Sequence, residues 1–135
     1  MKNEQQGARK VVGAQGEQAV VDYLVKQGYT ICARNYRIAQ GEIDIIASKE
    51  RVIAFIEVKA RTTLYFNLSE VIVPAKQRKI IYTARQYIFR QAMREMVYRF
   101  DVALLSQASG TTGSAAPLWN ITYIKDAFTD RENLL

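Results

Sequence analysis

Asp44 and Glu57 are separated by twelve residues, and Lys59 follows Glu57 by two. Residues two apart in a strand share a face, so Glu57 and Lys59 point the same way if the segment around them is extended. The runs Gly41–Ser48 (GEIDIIAS) and Val52–Ala60 (VIAFIEVKA) are rich in Ile, Val and Phe and predict two strands joined as an antiparallel hairpin. With Lys49-Glu50 as a two-residue turn, Ser48 opposes Arg51, Asp44 opposes Phe55 and Glu42 opposes Glu57. Asp44, Glu57 and Lys59 then converge on one face, with the carboxylates as diagonal neighbours about 7–8 Å apart by Cα. Packed carboxylates repel, and one keeps its proton unless a cation neutralises both. Mg²⁺, or Mn²⁺ in its place, neutralises such a pair through oxygen ligands. A lysine beside the ion offsets charge building on a phosphate. This is chemistry for phosphodiester hydrolysis without histidine, of which the chain has none. The same pattern also suits an exposed strand face laced with salt bridges.

The elements that must position these residues follow from periodicity. Val12, Ala19, Val20, Tyr23 and Leu24 fall on one helical face, and Gly28 follows where a C-terminal cap belongs. We expect a helix from about Val11, with residues 1–10 as a loose polar tail. Tyr29–Tyr36 is a further strand candidate. Pro74 opens a second helix to about Gln91, with Ile80, Ile81, Ala84, Tyr87 and Ile88 on one face. Arg99–Leu105 and Leu118–Ile124 predict two more strands, joined by a small, polar linker, Gln107–Ala116, expected to be a mobile loop. The order α-β-β-β-α-β-β implies an α/β domain over residues 11–128, one mixed central sheet flanked by helices, with a C-terminal tail at 129–135.

Composition narrows the function classes. At 135 residues with 49% hydrophobic and 24% charged, the chain is one globular domain rather than a coiled coil or a disordered chain. A single cysteine, Cys32, excludes an internal disulfide framework, and the absence of histidine removes the usual zinc sites and His-based triads. No apolar run reaches the length of a membrane span and none follows Met1-Lys2, so we expect a cytoplasmic protein with no membrane partner. Nineteen Lys and Arg against 13 Asp and Glu give a net charge of +6. That balance points to a polyanion, nucleic acid before membrane, or else to a solvated basic surface.

Gly41-Glu42-Ile43-Asp44, followed after twelve residues by Glu57-Val58-Lys59, resembles the core of the PD-(D/E)xK nuclease superfamily. More narrowly, Gly16–Val20, Gly41–Ala47, Phe55–Arg61, Val71–Ile80 and Arg99–Leu104 resemble the bacterial YraN family, described as similar to archaeal Holliday-junction resolvases. The likeness extends over about Gly13 to Phe128. It implies a restriction-endonuclease-like fold and a metal-dependent endonuclease acting on DNA, branched or otherwise structured. It also implies Asp44 and Glu57 as metal ligands, the Val58 carbonyl as a further ligand, and Lys59 as the catalytic lysine. Glu17 matches the acidic residue often found near the metal. On residues alone, Glu17 is equally a solvated glutamate in a first turn. Ile43 stands where the superfamily has proline before the aspartate.

Around this core, Gln77 shares the apolar face of the second helix and needs a partner, either a metal-bound water or phosphate, or a backbone carbonyl. We include it among the catalytic candidates. Lys76, Arg78 and Lys79 lie on the flanks and outer face of that helix and could follow a phosphate path, or be solvated charge. Arg61 shares the face of Lys59 if the strand continues and is expected to contact phosphate. Tyr65 and Phe66 could stack on an unpaired base or cover the core edge. Trp119, Tyr123, Tyr98 and Phe100 read as packing, Cys32 as a buried small hydrophobe, and nothing in the spacing requires Asp101 to reach the site. The competing function is a nucleic-acid-binding module that does not cut, followed by an interaction protein whose charge is incidental. Symmetric cutting of two strands would call for a homodimer.

Overall fold

A computed structural model of the chain describes residues 2–61, 72–107 and 118–130, of which residues 2–12 and Arg61 are described by backbone alone. The elements are α1 (Lys2–Lys26), β1 (Thr30–Ile38), β2 (Gly41–Lys49), β3 (Val52–Arg61), α2 (Pro74–Arg90), β4 (Val97–Gln107) and β5 (Trp119–Phe128). The expected order holds. The linker anticipated before β5, and Tyr65 and Phe66, lie outside the described residues.

The five strands form one sheet in the order β1-β2-β3-β4-β5. Neighbours are antiparallel except β3 and β4, which are parallel. A parallel pair needs a crossover, and α2 lies in the connection between β3 and β4. Among the described residues, each face of the sheet carries one helix. Ile80, Ile81, Ala84 and Tyr87 of α2 pack on Ile46, Ile53, Phe55, Phe100 and Val102. On the opposite face, Val20 and Leu24 of α1 pack on Ile45, Ala47, Ala54, Ile56, Ala103 and Leu105. Alternate residues of β3 thus feed alternate cores, which is why its sequence is an almost unbroken apolar run.

Helix α1 begins at Lys2 rather than near Val11. The first ten residues are mostly Lys, Glu, Gln, Ala and Arg, which favour helix by propensity although they carry no apolar stripe to reveal it. The helix ends as predicted. Gly28 takes φ 92°, its N–H donates to the Val25 carbonyl, and the Tyr29 N–H donates to the Leu24 carbonyl, each at 3.0 Å. This pair of bonds is a Schellman cap, with Leu24 and Tyr29 both buried beneath it. Gly16 lies one turn before Val20 on the buried stripe. A Cβ there would stand 2.7 Å from Leu105 Cδ1, so glycine lets α1 approach β4 closely.

Three local expectations need correction. The β2–β3 turn is Glu50-Arg51, not Lys49-Glu50: Lys49 opposes Val52 and Ser48 opposes Ile53. Arg51 is exposed and Val52 half-buried, so this turn leaves the charge in water and brings the branched side chain into the ladder. Cys32 is exposed rather than buried, because it is the extra residue of a bulge between Ile31 and Ala33 on the edge strand β1. Tyr98, near the start of β4, is 40% exposed, whereas Phe100 is core. Among the described residues no helix is long and apolar enough to cross a membrane.

Candidate metal centre and active site

The hairpin register is displaced by two positions from the predicted one. An even displacement keeps every side chain on its face. Asp44 and Glu57 therefore still converge, as the pair that would come next after Ile45 and Ile56 rather than as diagonal neighbours. Pairing between β2 and β3 stops at Ile45–Ile56. Beyond that point β2 stays paired with β1 as far as Gly41, and β3 stays paired with β4 as far as Arg61. The sheet thus forks, with the two carboxylates where the strands part. Ile43 and Ile46, three residues apart, both join the core under α2, so the alternation of faces in β2 breaks around Asp44.

Each side chain in the fork has a defined environment. Asp44 Oδ2 accepts a 2.8 Å hydrogen bond from the Val58 N–H, replacing a backbone acceptor that β2 no longer offers. Glu57 is buried, at 7% exposure. Its Oε1 lies 2.6 Å from Lys76 Nζ and 3.5 Å from Lys59 Nζ. Burial, reinforced by the charge of Glu57 and to a lesser extent Glu17, pushes the Asp44 carboxyl up to about 7 despite the Val58 bond. Burial, followed by the neighbouring Lys76, lowers the Lys59 ammonium below the ordinary lysine value. For Lys76 burial is the largest influence and acts downward, but Glu57, Lys59 and Asp44 together turn the net direction up. The two lysines share one carboxylate and titrate in opposite directions.

A cleft of about 280 Å³ opens over this cluster, bordered by Gly16, Glu17, Asp44, Glu57, Lys59 and Lys76. A second cleft, of about 160 Å³, shares Glu42, Asp44, Glu57 and Lys76 with the first and continues to Lys79 and Gly41. Gly41 is required there, because a Cβ would lie 2.5 Å from Thr83 Oγ1 and 3.2 Å from the Lys79 carbonyl oxygen. Glu42, at the rim, pairs with Arg37 at 2.9 Å. A roomier cleft of about 860 Å³ lies at the far end of α2, among Ile88, Phe89, Met93 and Tyr98. Its Arg85 and Asp130 are paired with each other at 2.6 Å, and it contains none of the fork residues.

Of the anticipated residues, Asp44, Glu57, Val58, Lys59 and Glu17 all border the first cleft. Gln77 does not: its half-buried side chain donates through Nε2 to the Ile72 carbonyl at 3.2 Å, the backbone partner anticipated as its alternative. Lys79 borders the second cleft and Arg78 is exposed beside it. Arg61 continues β3 opposite Ser106, but its side chain lies outside the described residues. Lys76, expected on the flank and outer face, instead reaches into the fork. The signal for this was available: a β-α-β crossover brings the first turn of its helix to the C-terminal end of the strand before it. Asp101 does not reach the site. It is fully buried and bonded to Arg99, Tyr123 and the Asp126 N–H.

The donor set fits a hard divalent cation. Two carboxylates forced together, one of them held near neutral pH by burial and its partner, are relieved by a positive charge between them. Among the described residues no group of three or more His, Cys, Asp or Glu side chains gathers to hold a metal. Two carboxylates suffice for Mg²⁺, which keeps several waters and completes its shell with substrate phosphates.

The chain matches the model of "Uncharacterised protein family UPF0102" over residues 16–105. It belongs to that family, which is also called YraN. A UPF0102 protein of Chlorobium phaeobacteroides is 40% identical over 119 residues, covering 87% of this chain and 93% of the relative. One from Clostridium perfringens is 37% identical over 120 residues, covering 88% and 94%. One from Clostridium botulinum is 47% identical over 95 residues, covering 69% and 77%. The matched segment of the family model contains the whole fork, from Glu17 to Lys76, and ends at Leu105.

Proposed function

We propose that this UPF0102 protein is a metal-dependent endonuclease that hydrolyses DNA phosphodiester bonds, with branched or structured DNA as its substrate. The observation that carries the reading is the pair of crowded carboxylates, Asp44 and Glu57, at the strand fork beside Lys59. Asp44, Glu57 and the Val58 carbonyl are the oxygens that would hold Mg²⁺ or Mn²⁺. When bound, such an ion supplies charge to a phosphate oxygen and acidifies water.

The chain's own groups do the rest. The Val58 N–H fixes the Asp44 carboxylate in one orientation. Lys59 lies near Glu57 on the same strand, where its ammonium can offset charge growing on the phosphate. Its lowered proton affinity also suits it to orient or deprotonate a water. Lys79 and Arg78, exposed on the first turns of α2, supply cations for the flanking backbone, and the net charge of +6 supports a polyanionic partner.

The test is cleavage of labelled duplex, forked, single-stranded and four-way-junction DNA in Mg²⁺, Mn²⁺ or EDTA, beside Asp44→Asn purified identically. Metal-dependent cutting that disappears in the variant is expected. No cutting, with salt-sensitive binding by both proteins, would replace this reading with that of a DNA-binding module.

A further inference from the structure

Among the described residues, Glu57 of the fork already has cationic partners without a metal. Asp44 and Glu57 face Lys59 and Lys76, and the shortest contact in the set, 2.6 Å, joins Lys76 Nζ to Glu57 Oε1. An ammonium at that distance covers the oxygen face that a divalent ion needs, because Mg²⁺ approaches its ligands to about 2.0–2.1 Å. The two cations cannot occupy that face together.

The lysines differ in how they are held. Lys59 is in the ladder of β3, its backbone fixed opposite Leu104 of β4. It stands farther from Oε1, at 3.5 Å. Lys76 is in the first turn of α2, on a separate element, and reaches the carboxylate by the length of its side chain, which is 36% exposed. Four flexible carbons let it leave without moving the helix. The second cleft, bordered by Lys76 and Lys79, gives it somewhere to go.

We propose that Lys76 is the resident cation of the metal-free site: it neutralises Glu57 until a divalent ion displaces it, and so sets the metal affinity. This rests on the reading that Asp44 and Glu57 bind a divalent ion, and it deepens that reading by naming the group the ion competes with. Two consequences follow. Metal affinity is weaker than the two carboxylates alone would give, because each binding event breaks an ion pair. The displaced ammonium becomes free at the moment the site is loaded, on the side of the cleft nearest Lys79.

The experiment is calorimetric titration of the full chain with Mn²⁺ in the absence of DNA, comparing the parent with Lys76→Met, Lys79→Met and Glu57→Gln. Lys76→Met is expected to tighten Mn²⁺ binding roughly tenfold, the size of one charged hydrogen bond. Lys79→Met should leave affinity within about twofold, on the scale of a solvated charge, and Glu57→Gln should abolish binding. Equal or weaker binding by Lys76→Met would overturn the inference while leaving the metal site intact. No binding by the parent or by Lys76→Met would overturn the metal reading itself. A second measurement on the parent does not depend on the variant folding: the Lys76 ε-methylene NMR signals should move towards solvent-exposed lysine values as Mg²⁺ is added. Signals that stay in place while the metal binds would also refute displacement.

Discussion

Two acidic clusters lie on the same sheet, and they are built in opposite ways. Asp101 in β4 is fully buried and saturated. Arg99 donates to it from Nε at 2.8 Å and from Nη2 at 2.9 Å, the Tyr123 hydroxyl donates at 2.6 Å and the Asp126 N–H at 2.9 Å. Arg99 is fixed in turn by the Tyr29 hydroxyl at 2.6 Å, which ties the end of α1 to β4 and β5. Asp101 raises the Arg99 guanidinium above its ordinary value, so Arg99 stays charged as pH rises. Asp44, in contrast, has one backbone donor, a second carboxylate as neighbour and an open cleft above it. A saturated buried acid holds a fold together. An acid crowded by another acid and left open to a cleft is poised to hold something else.

The largest effect that would sharpen this contrast is on cleavage. Asp44→Asn should lower metal-dependent cutting by about 10³-fold or more while DNA binding persists. Equal cutting rates for parent and variant would remove the site assignment. Next comes stability. Asp101→Asn leaves the half-buried Arg99 without its carboxylate and should cost about 3 kcal/mol in urea unfolding, with the Mn²⁺ affinity of the folded protein unchanged. If Asp101→Asn were neutral for stability yet abolished metal binding, the roles assigned to the two clusters would be reversed.

A smaller effect lies in pH. The Asp44 carboxyl is raised to about 7 in the fold, so the native state binds a proton that the unfolded chain has already lost above about pH 4. The stability this proton contributes is fully present below about pH 4 and is lost as pH rises through 7. Metal-free parent should therefore lose Tm across that window. Asp44→Asn should flatten the loss and melt several degrees higher at pH 7.5, by differential scanning fluorimetry. Adding Mn²⁺ should raise the parent and not the variant. The smallest change is expected from Glu17→Gln, which removes only the outer charge at the cleft and should weaken Mn²⁺ binding a few-fold by the same calorimetry.

The α/β order and both cores were legible because their signals are local. The apolar runs of β2 and β3, the stripe ending at Leu24 before Gly28, and Pro74 opening α2 need no knowledge of distant residues. The hairpin register was not, since Lys49, Glu50 and Arg51 are all polar and none marks the turn. The faces are nonetheless those predicted, because a displacement of two positions preserves the alternation. Within the site, Asp44, Glu57 and Lys59 could be brought together by strand alternation alone. Lys76 needs the crossover as well, which brings the first turn of α2 to the C-terminal end of β3. For Gln77 the backbone-carbonyl alternative holds, and the particular carbonyl, Ile72, precedes the helix and has no sequence signature. The bracing of Asp101 was not legible, since Tyr123 and, through Arg99, Tyr29 stand 22 and 72 residues from it.

The irregular pairings fall in the two outer ladders of the sheet. Cys32 is the extra residue of β1, and Lys125, Asp126 and Ala127 of β5 stand against the single Asp101 of β4. Asp126 takes φ 55° there, and both Lys125 and Asp126 face solvent. A strand at the rim of a sheet offers its free N–H and C=O groups to any other chain in extended form, and a regular rim invites stacking of copies into aggregates. Kinked rims bearing Arg34 and Arg37 on one side and Lys125 on the other refuse that pairing. The same Asp101 that braces the interior thus shapes one of the borders that keep this small sheet from growing.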